Sequence, residues 1–149
     1  MNARGKMAIR WLTVAYVGLL TAGSLLPSGT GPLRGWDATL TPSVQNVLHV
    51  PAYAGLVLLT GIAFGATGPR TVGGIVPVML ACSAWGAILE IAQAGIPGRT
   101  ASLSDGLLNM AGAATGSVIL WLVARRARRV SLFWQSHRAN AEAGESRGK

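Results

Sequence analysis

Residues 89–116 read LEIAQAGIPGRTASLSDGLLNMAGAATG. Within this stretch Glu90, Gln93, Arg99, Asp105 and Asn109 fall close together, with apolar sequence on both sides. A hydrocarbon environment penalises charged groups at a helix centre by roughly 2.5–3.5 kcal/mol each. Some interaction must offset that cost, so this stretch marks the functional site of a membrane protein.

Composition outside the stretch supports the membrane reading. Hydrophobic residues make up 50% of the 149, and charged residues only 12%. A soluble domain carries about 25% charged residues. The net charge of +8 does not point to nucleic acid, because the cations sit at the ends of apolar runs rather than on a basic surface interleaved with stacking aromatics. The single cysteine, Cys82, allows no intrachain disulfide and reads as a small packing residue.

The fold class expected is all-α: one polytopic membrane domain of four transmembrane helices. Uncharged or nearly uncharged apolar runs place the spans at about 9–26, 43–66, 71–93 and 103–124. Eighteen residues at 1.5 Å each cover about 27 Å, close to the hydrocarbon thickness. A signal peptide is the rival for the first span, but the run exceeds the usual 7–15 residue signal core, which favours an uncleaved anchor. Glycine and proline punctuate the connections at 27–42 and 94–102, and a short link at 67–70 turns the chain back. Pro51 should bend the second span near His49. A basic tail occupies 125–149, polar and small from about residue 139, a pattern that predicts disorder.

Positive charge sets the expected orientation. With four spans both termini share a side, which collects Arg4, Lys6, Arg10, Arg70, Arg125, Arg126, Arg128 and Arg129. The other side holds Arg34 and Arg99. Both termini are therefore expected in the cytoplasm, with the membrane in question the cytoplasmic (inner) one. The basic ends fix topology and attract membrane lipids with anionic head groups.

This topology brings distant polar residues to one level near the outer face. Gln45, His49 and Tyr53 follow at i, i+4 and i+8 on the second span. Glu90 and Gln93 lie one turn apart at the end of the third. Asp105 and Asn109 are at i, i+4 on the fourth, where Gly112 and Gly116 continue the stripe as a small-xxx-small face for helix packing. Arg99 stands in the loop between Glu90 and Asp105, able to bridge both carboxylates with its planar fork.

Several chemistries are compatible with such a group. His49 beside a carboxylate, Glu90 or Asp105, can serve as general acid or base. The same three residues lack a recognised ligand spacing such as HExxH, so neither a metal nor another cofactor is expected. Ser102 or Ser104 with His49 would make a hydrolase pair, without a GxSxG elbow in support. The structural reading has Glu90 and Asp105 hold Arg99 while Gln93 and Asn109 tie helices together.

The stretch resembles the signature of VanZ-like membrane proteins, the family named for a teicoplanin-resistance protein. That signature has a Glu and Gln one turn apart, a Pro-Gly-Arg loop, an Asp, and Asn-x-x-Gly-x-x-x-Gly. Here these are Glu90, Gln93, Pro97, Gly98, Arg99, Asp105, Asn109, Gly112 and Gly116. His49 and Tyr53 match the family's His and Tyr on the second helix, and Leu25-Leu26-Pro27 matches the end of the first span. The likeness covers roughly residues 20–120. It departs just before the His, where the family often has an Asp-Lys pair and this chain has Gln45 and Asn46. A role needing those charges does not carry over. The resemblance implies a small polytopic membrane protein of the cell envelope, linked in some members to glycopeptide resistance. The partners so implied are membrane lipids and a lipid-linked envelope substrate or a glycopeptide. A membrane-embedded hydrolase or transferase and a structural membrane partner are the alternatives.

Overall fold

A computed structural model describes residues 2–26, 42–65, 71–96 and 102–147, with side chains described as far as residue 137 and not at 42, 43, 45, 71 or 72. The connections at 27–41, 66–70 and 97–101 lie outside the described residues, and with them Arg99 and the Pro-Gly-Arg loop.

Four α-helices follow in order: α1 Ala3–Leu25, α2 Pro42–Ala63, α3 Thr71–Gln93 and α4 Leu103–Arg147. Each is long and apolar enough to cross a membrane, and no strand occurs among the described residues. The protein is an all-α, multi-pass membrane protein. Helix is the form such sequence must take, because hydrocarbon offers no partner for backbone N–H and C=O groups. The hydroxyls inside the spans follow the same rule. Thr13, Thr21, Thr115 and Ser117 each donate to the carbonyl four residues back, at 2.8 Å.

The helices run up and down. Tyr16 of α1 reaches Ala52 of α2, Gly86 of α3 faces Asn109 of α4, and α2 and α4 run in the same direction, from the His49–Asn109 contact to the Gly61–Leu120 contact. One end of the bundle therefore collects the C-termini of α1 and α3 and the N-termini of α2 and α4. The N-terminus of α1 and the C-terminal part of α4 lie at the other end, which among the described residues is also the basic one.

α2 is the central helix and meets all three others. Its Tyr53, Leu56 and Val57 form the core with Cys82 of α3 and Ala113 of α4. Ile75 and Leu120 make a second cluster nearer the basic end. The α2–α4 seam is the tightest in the molecule. A Cβ at Gly112 would lie 2.5 Å from the Val50 carbonyl oxygen, and one at Gly116 would lie 2.5 Å from that of Ala54. Backbone meets backbone there, a contact only glycine permits. α2 ends at Ala63, and two residues later Gly65, with a φ of 69°, suits a glycine closing a helix.

Two boundaries differ from those read off hydropathy. α1 starts at Ala3 rather than near residue 9, because the Asn2 side chain caps it by accepting from the Gly5 N–H at 2.9 Å. α4 continues through the basic segment to Arg147 instead of giving way to disorder near residue 139. Nothing interrupts it: no glycine or proline stands between Gly116 and Gly144, and Ala, Arg and Glu are strong helix formers. Its 45 residues reach about 67 Å, twice a hydrocarbon core, so its second half projects past the span. Pro51 and Pro77 are both accommodated inside continuous helix.

Candidate functional site

α3 ends in two polar side chains, Glu90 and Gln93, both buried. Each meets the free end of a neighbouring helix. A helix leaves its first N–H groups and last C=O groups without internal partners. The Glu90 carboxylate accepts from the Ser102 N–H at 3.2 Å, just before the first turn of α4. Gln93 Nε2 donates to the Ser24 carbonyl oxygen at 2.9 Å, in the last turn of α1. An anion thus sits at the positive end of one helix dipole and an N–H donor at the negative end of another. The one-turn Glu–Gln spacing has a structural use: one helix caps two.

Ser102 is the N-cap of α4. Its backbone carbonyl accepts from Asp105 and Gly106, both at 3.1 Å, and its hydroxyl accepts from the Asp105 N–H at 3.4 Å. In a capping box the acidic residue at the third helical position would reach back to the cap N–H. Glu90 has taken that donor, so the Asp105 side chain is released. Among the described residues, Asp105 Oδ1 is buried without a hydrogen-bond partner. Among the described residues the two carboxylates are therefore unlike: that of Glu90 is engaged, and Asp105 Oδ1 is not. The Ser102 and Ser104 hydroxyls bond each other, and neither meets His49.

His49 joins α2 to α4. Its Nδ1 lies 2.7 Å from Asn109 Oδ1. An amide oxygen only accepts, so Nδ1 carries the proton and Nε2 is the position left for other chemistry. Among the described residues the imidazole's partner is this amide and not Glu90 or Asp105. Asn109 is one of the three largest fully buried side chains. Gly86 of α3 makes room for it: a Cβ there would lie 3.1 Å from Asn109 Nδ2 and 2.9 Å from the Tyr53 ring. Gly86 stands one turn before Glu90 and was not singled out from sequence, although that spacing on one face was its signal. The Tyr53 ring is buried and within electrostatic reach of Glu90.

On the α1 side the packing opens. A cavity of about 290 Å³ lies between α1, α2 and α3, with His49, Tyr53 and Gln93 in its wall beside Leu19, Leu20 and Leu48. Leu19 and Leu48 are themselves exposed, so the wall runs without a break from polar interior to lipid-facing surface. Tyr16, also unmarked by the sequence reading, closes the lower α1–α2 contact by donating from its hydroxyl to the Ala52 carbonyl at 3.0 Å.

Of the residues marked from sequence, His49, Tyr53, Glu90, Gln93, Asp105 and Asn109 all gather at this end of the bundle, and Gly112 and Gly116 lie on the α2–α4 seam just below. The Gln45 side chain and Arg99 lie outside the described residues. Among the described residues no three His, Cys, Asp or Glu side chains come together as a group able to hold a metal ion.

The VanZ/LLP1 family model matches residues 9–124 of the chain, which takes in all four spans and every residue of the cluster. No curated protein matches, and no solved structure matches.

Proposed function

The chain belongs to the VanZ/LLP1 family, and from that premise we propose that it acts in the cytoplasmic membrane by binding the polar part of a lipid-linked cell-envelope molecule at the His49 end of the bundle. The observation that carries this reading is the cavity itself, about 290 Å³ with His49, Tyr53 and Gln93 in a wall that continues into exposed Leu19 and Leu48. A ligand with a polar head and an apolar tail matches that wall: the head meets imidazole, phenol and amide, and the tail stays in lipid. Both donors and acceptors are present, which suits hydroxyl-rich heads such as sugars. Positive charge at the opposite end of the bundle supports an outward-facing site and cytoplasmic termini. Holding envelope material at the outer leaflet would limit access of a glycopeptide such as teicoplanin.

The test is to purify the full-length protein gently from its membranes and identify co-purifying lipids by mass spectrometry. Lipid-linked envelope material is expected with the wild type. His49→Ala and Tyr53→Phe should each lower it about tenfold, the effect of one buried hydrogen bond to a ligand, together with any tolerance of teicoplanin. Equal recovery from wild type and both variants would overturn the proposal. A reporter fused after Arg129 should read cytoplasm.

The fixing of His49 Nδ1 by Asn109 supports a second reading, in which Nε2 acts as general base in hydrolysis or transfer of the ligand's head group. Incubating the captured lipid with wild type and with His49→Gln separates the two, since only an enzyme releases the head group. A structural partner predicts loss of folding in His49→Ala instead.

A further inference from the structure

The basic end of the bundle carries a second lipid-facing feature, unconnected with the cluster around His49. A groove of about 270 Å³ runs between α3 and α4, walled by Ile75, Val76 and Met79 on one side and Ala114, Val118 and Trp121 on the other. Directly beyond it along α4 is a hollow of about 390 Å³ lined by Leu122, Arg125, Arg126 and Arg129. Trp121 of the groove and Arg125 of the hollow touch, the Arg125 guanidinium lying 5.1 Å over the indole ring. Ala114, Val118, Trp121, Arg125 and Arg129 recur at i, i+4, i+7, i+11 and i+15, one face of a helix with 3.6 residues per turn. That face therefore changes, within one turn, from wholly apolar to strongly cationic.

We propose that this groove is a binding site for one acidic phospholipid of the leaflet at the basic end, with its phosphate between Arg125 and Arg129 and an acyl chain along Trp121, Val118 and Ala114. From Trp121 to Ala114 is about 10 Å along the axis, so the groove takes the upper part of one chain. Charge decides the occupant. A guanidinium fork matches a phosphate in geometry as well as sign, and a cluster of arginines just beyond a membrane span attracts anionic head groups. A second copy of the chain is disfavoured, because each copy carries a net charge of +8 and would bring its own arginine row to the same level.

The test uses the full-length protein and native mass spectrometry from detergent, after incubation with phosphatidylglycerol or with phosphatidylcholine of the same acyl chains. One phosphatidylglycerol per chain should be retained, and phosphatidylcholine should be lost. The double variant Arg125→Gln/Arg129→Gln should lower retention by more than about tenfold. Ala114→Trp fills the groove without touching a charge and should lower it as well; Val76→Trp does the same from α3 should the first variant fail to fold. His49→Ala should retain the lipid fully. The proposal is overturned by equal retention of the two lipids, by full retention in the arginine variant or in a folded groove variant, or by loss in a folded His49→Ala, which would assign the lipid to the other cavity. A wild-type dimer that Ala114→Trp converts to monomer would overturn it in favour of a second copy.

Discussion

The two flanks of α2 are made of similar residues and behave as opposites. Toward α4, Gly112 and Gly116 let the backbones touch, and Tyr53, Ala54, Val57 and Ala113 are buried. Toward α1, only Thr13 of the first helix is buried, the helices are linked by the Tyr16 hydroxyl on the Ala52 carbonyl, and a cavity is left beside them. The difference lies in what meets α2. Small residues on a facing helix remove space, and in a bilayer, without a hydrophobic drive between helices, such close packing is what holds them. Large, lipid-facing residues on α1 leave space. His49 belongs to both flanks: Asn109 fixes it from the closed side, and its ring borders the open one. A closely packed flank thus presents an imidazole to an open one.

That contrast can be broken most severely at the seam. Gly116→Leu would put a side chain where the Ala54 carbonyl now lies, and overpacking of this kind costs about 1–3 kcal/mol or more. Thermal unfolding in detergent should show a large fall in melting temperature, with Gly112→Leu close behind. An unchanged melting temperature would mean that α2 and α4 do not meet through these glycines.

The next effect is at the cross-link. Asn109→Leu leaves the His49 Nδ1–H facing an apolar group, at a cost of about 1–3 kcal/mol in general, although hydrogen bonds between membrane helices average nearer 0.6 kcal/mol. Burial of Asn109 favours the upper part of that range. The same unfolding measurement checks it, and a companion His49→Leu/Asn109→Leu double variant should recover part of the loss.

At the cap, Glu90→Ala removes the acceptor for the Ser102 N–H and should cost roughly 1 kcal/mol, the value of an N-cap. Glu90→Gln keeps an acceptor oxygen and should lose about half as much or less. A Gln variant that folds normally yet binds no lipid-linked ligand would give the charge a functional role separate from capping.

The smallest expected effect is Tyr16→Phe, about 0.6 kcal/mol or less. Its interest lies in sharpening the comparison: loosening the open flank should alter ligand recovery more than stability, whereas loosening the closed flank does the reverse. If Tyr16→Phe destabilises as much as Asn109→Leu, the two flanks are equivalent and the contrast fails.

Much of this was open to inspection in the chain itself. Hydropathy and length placed four spans, since about 20 apolar residues and a helix spanning hydrocarbon are the same physical requirement. The polar stretch from Glu90 to Asn109 stood out because buried polar groups are costly, and the glycine repeat announced a close contact because small residues have that use between membrane helices. These are local signals. Which groups pair is not local. Glu90 meets the Ser102 N–H and Gln93 the Ser24 carbonyl because the ends of α4 and α1 come beside the end of α3, and an unpaired backbone group carries no mark in sequence. A carboxylate was one of several partners the sequence left open for the imidazole; among the described residues it takes the amide of Asn109, because parallel α2 and α4, held at glycine distance, bring those two residues level. The cavity follows from the same cause: it exists where helices fail to close, and only the arrangement of all four in space decides where that is.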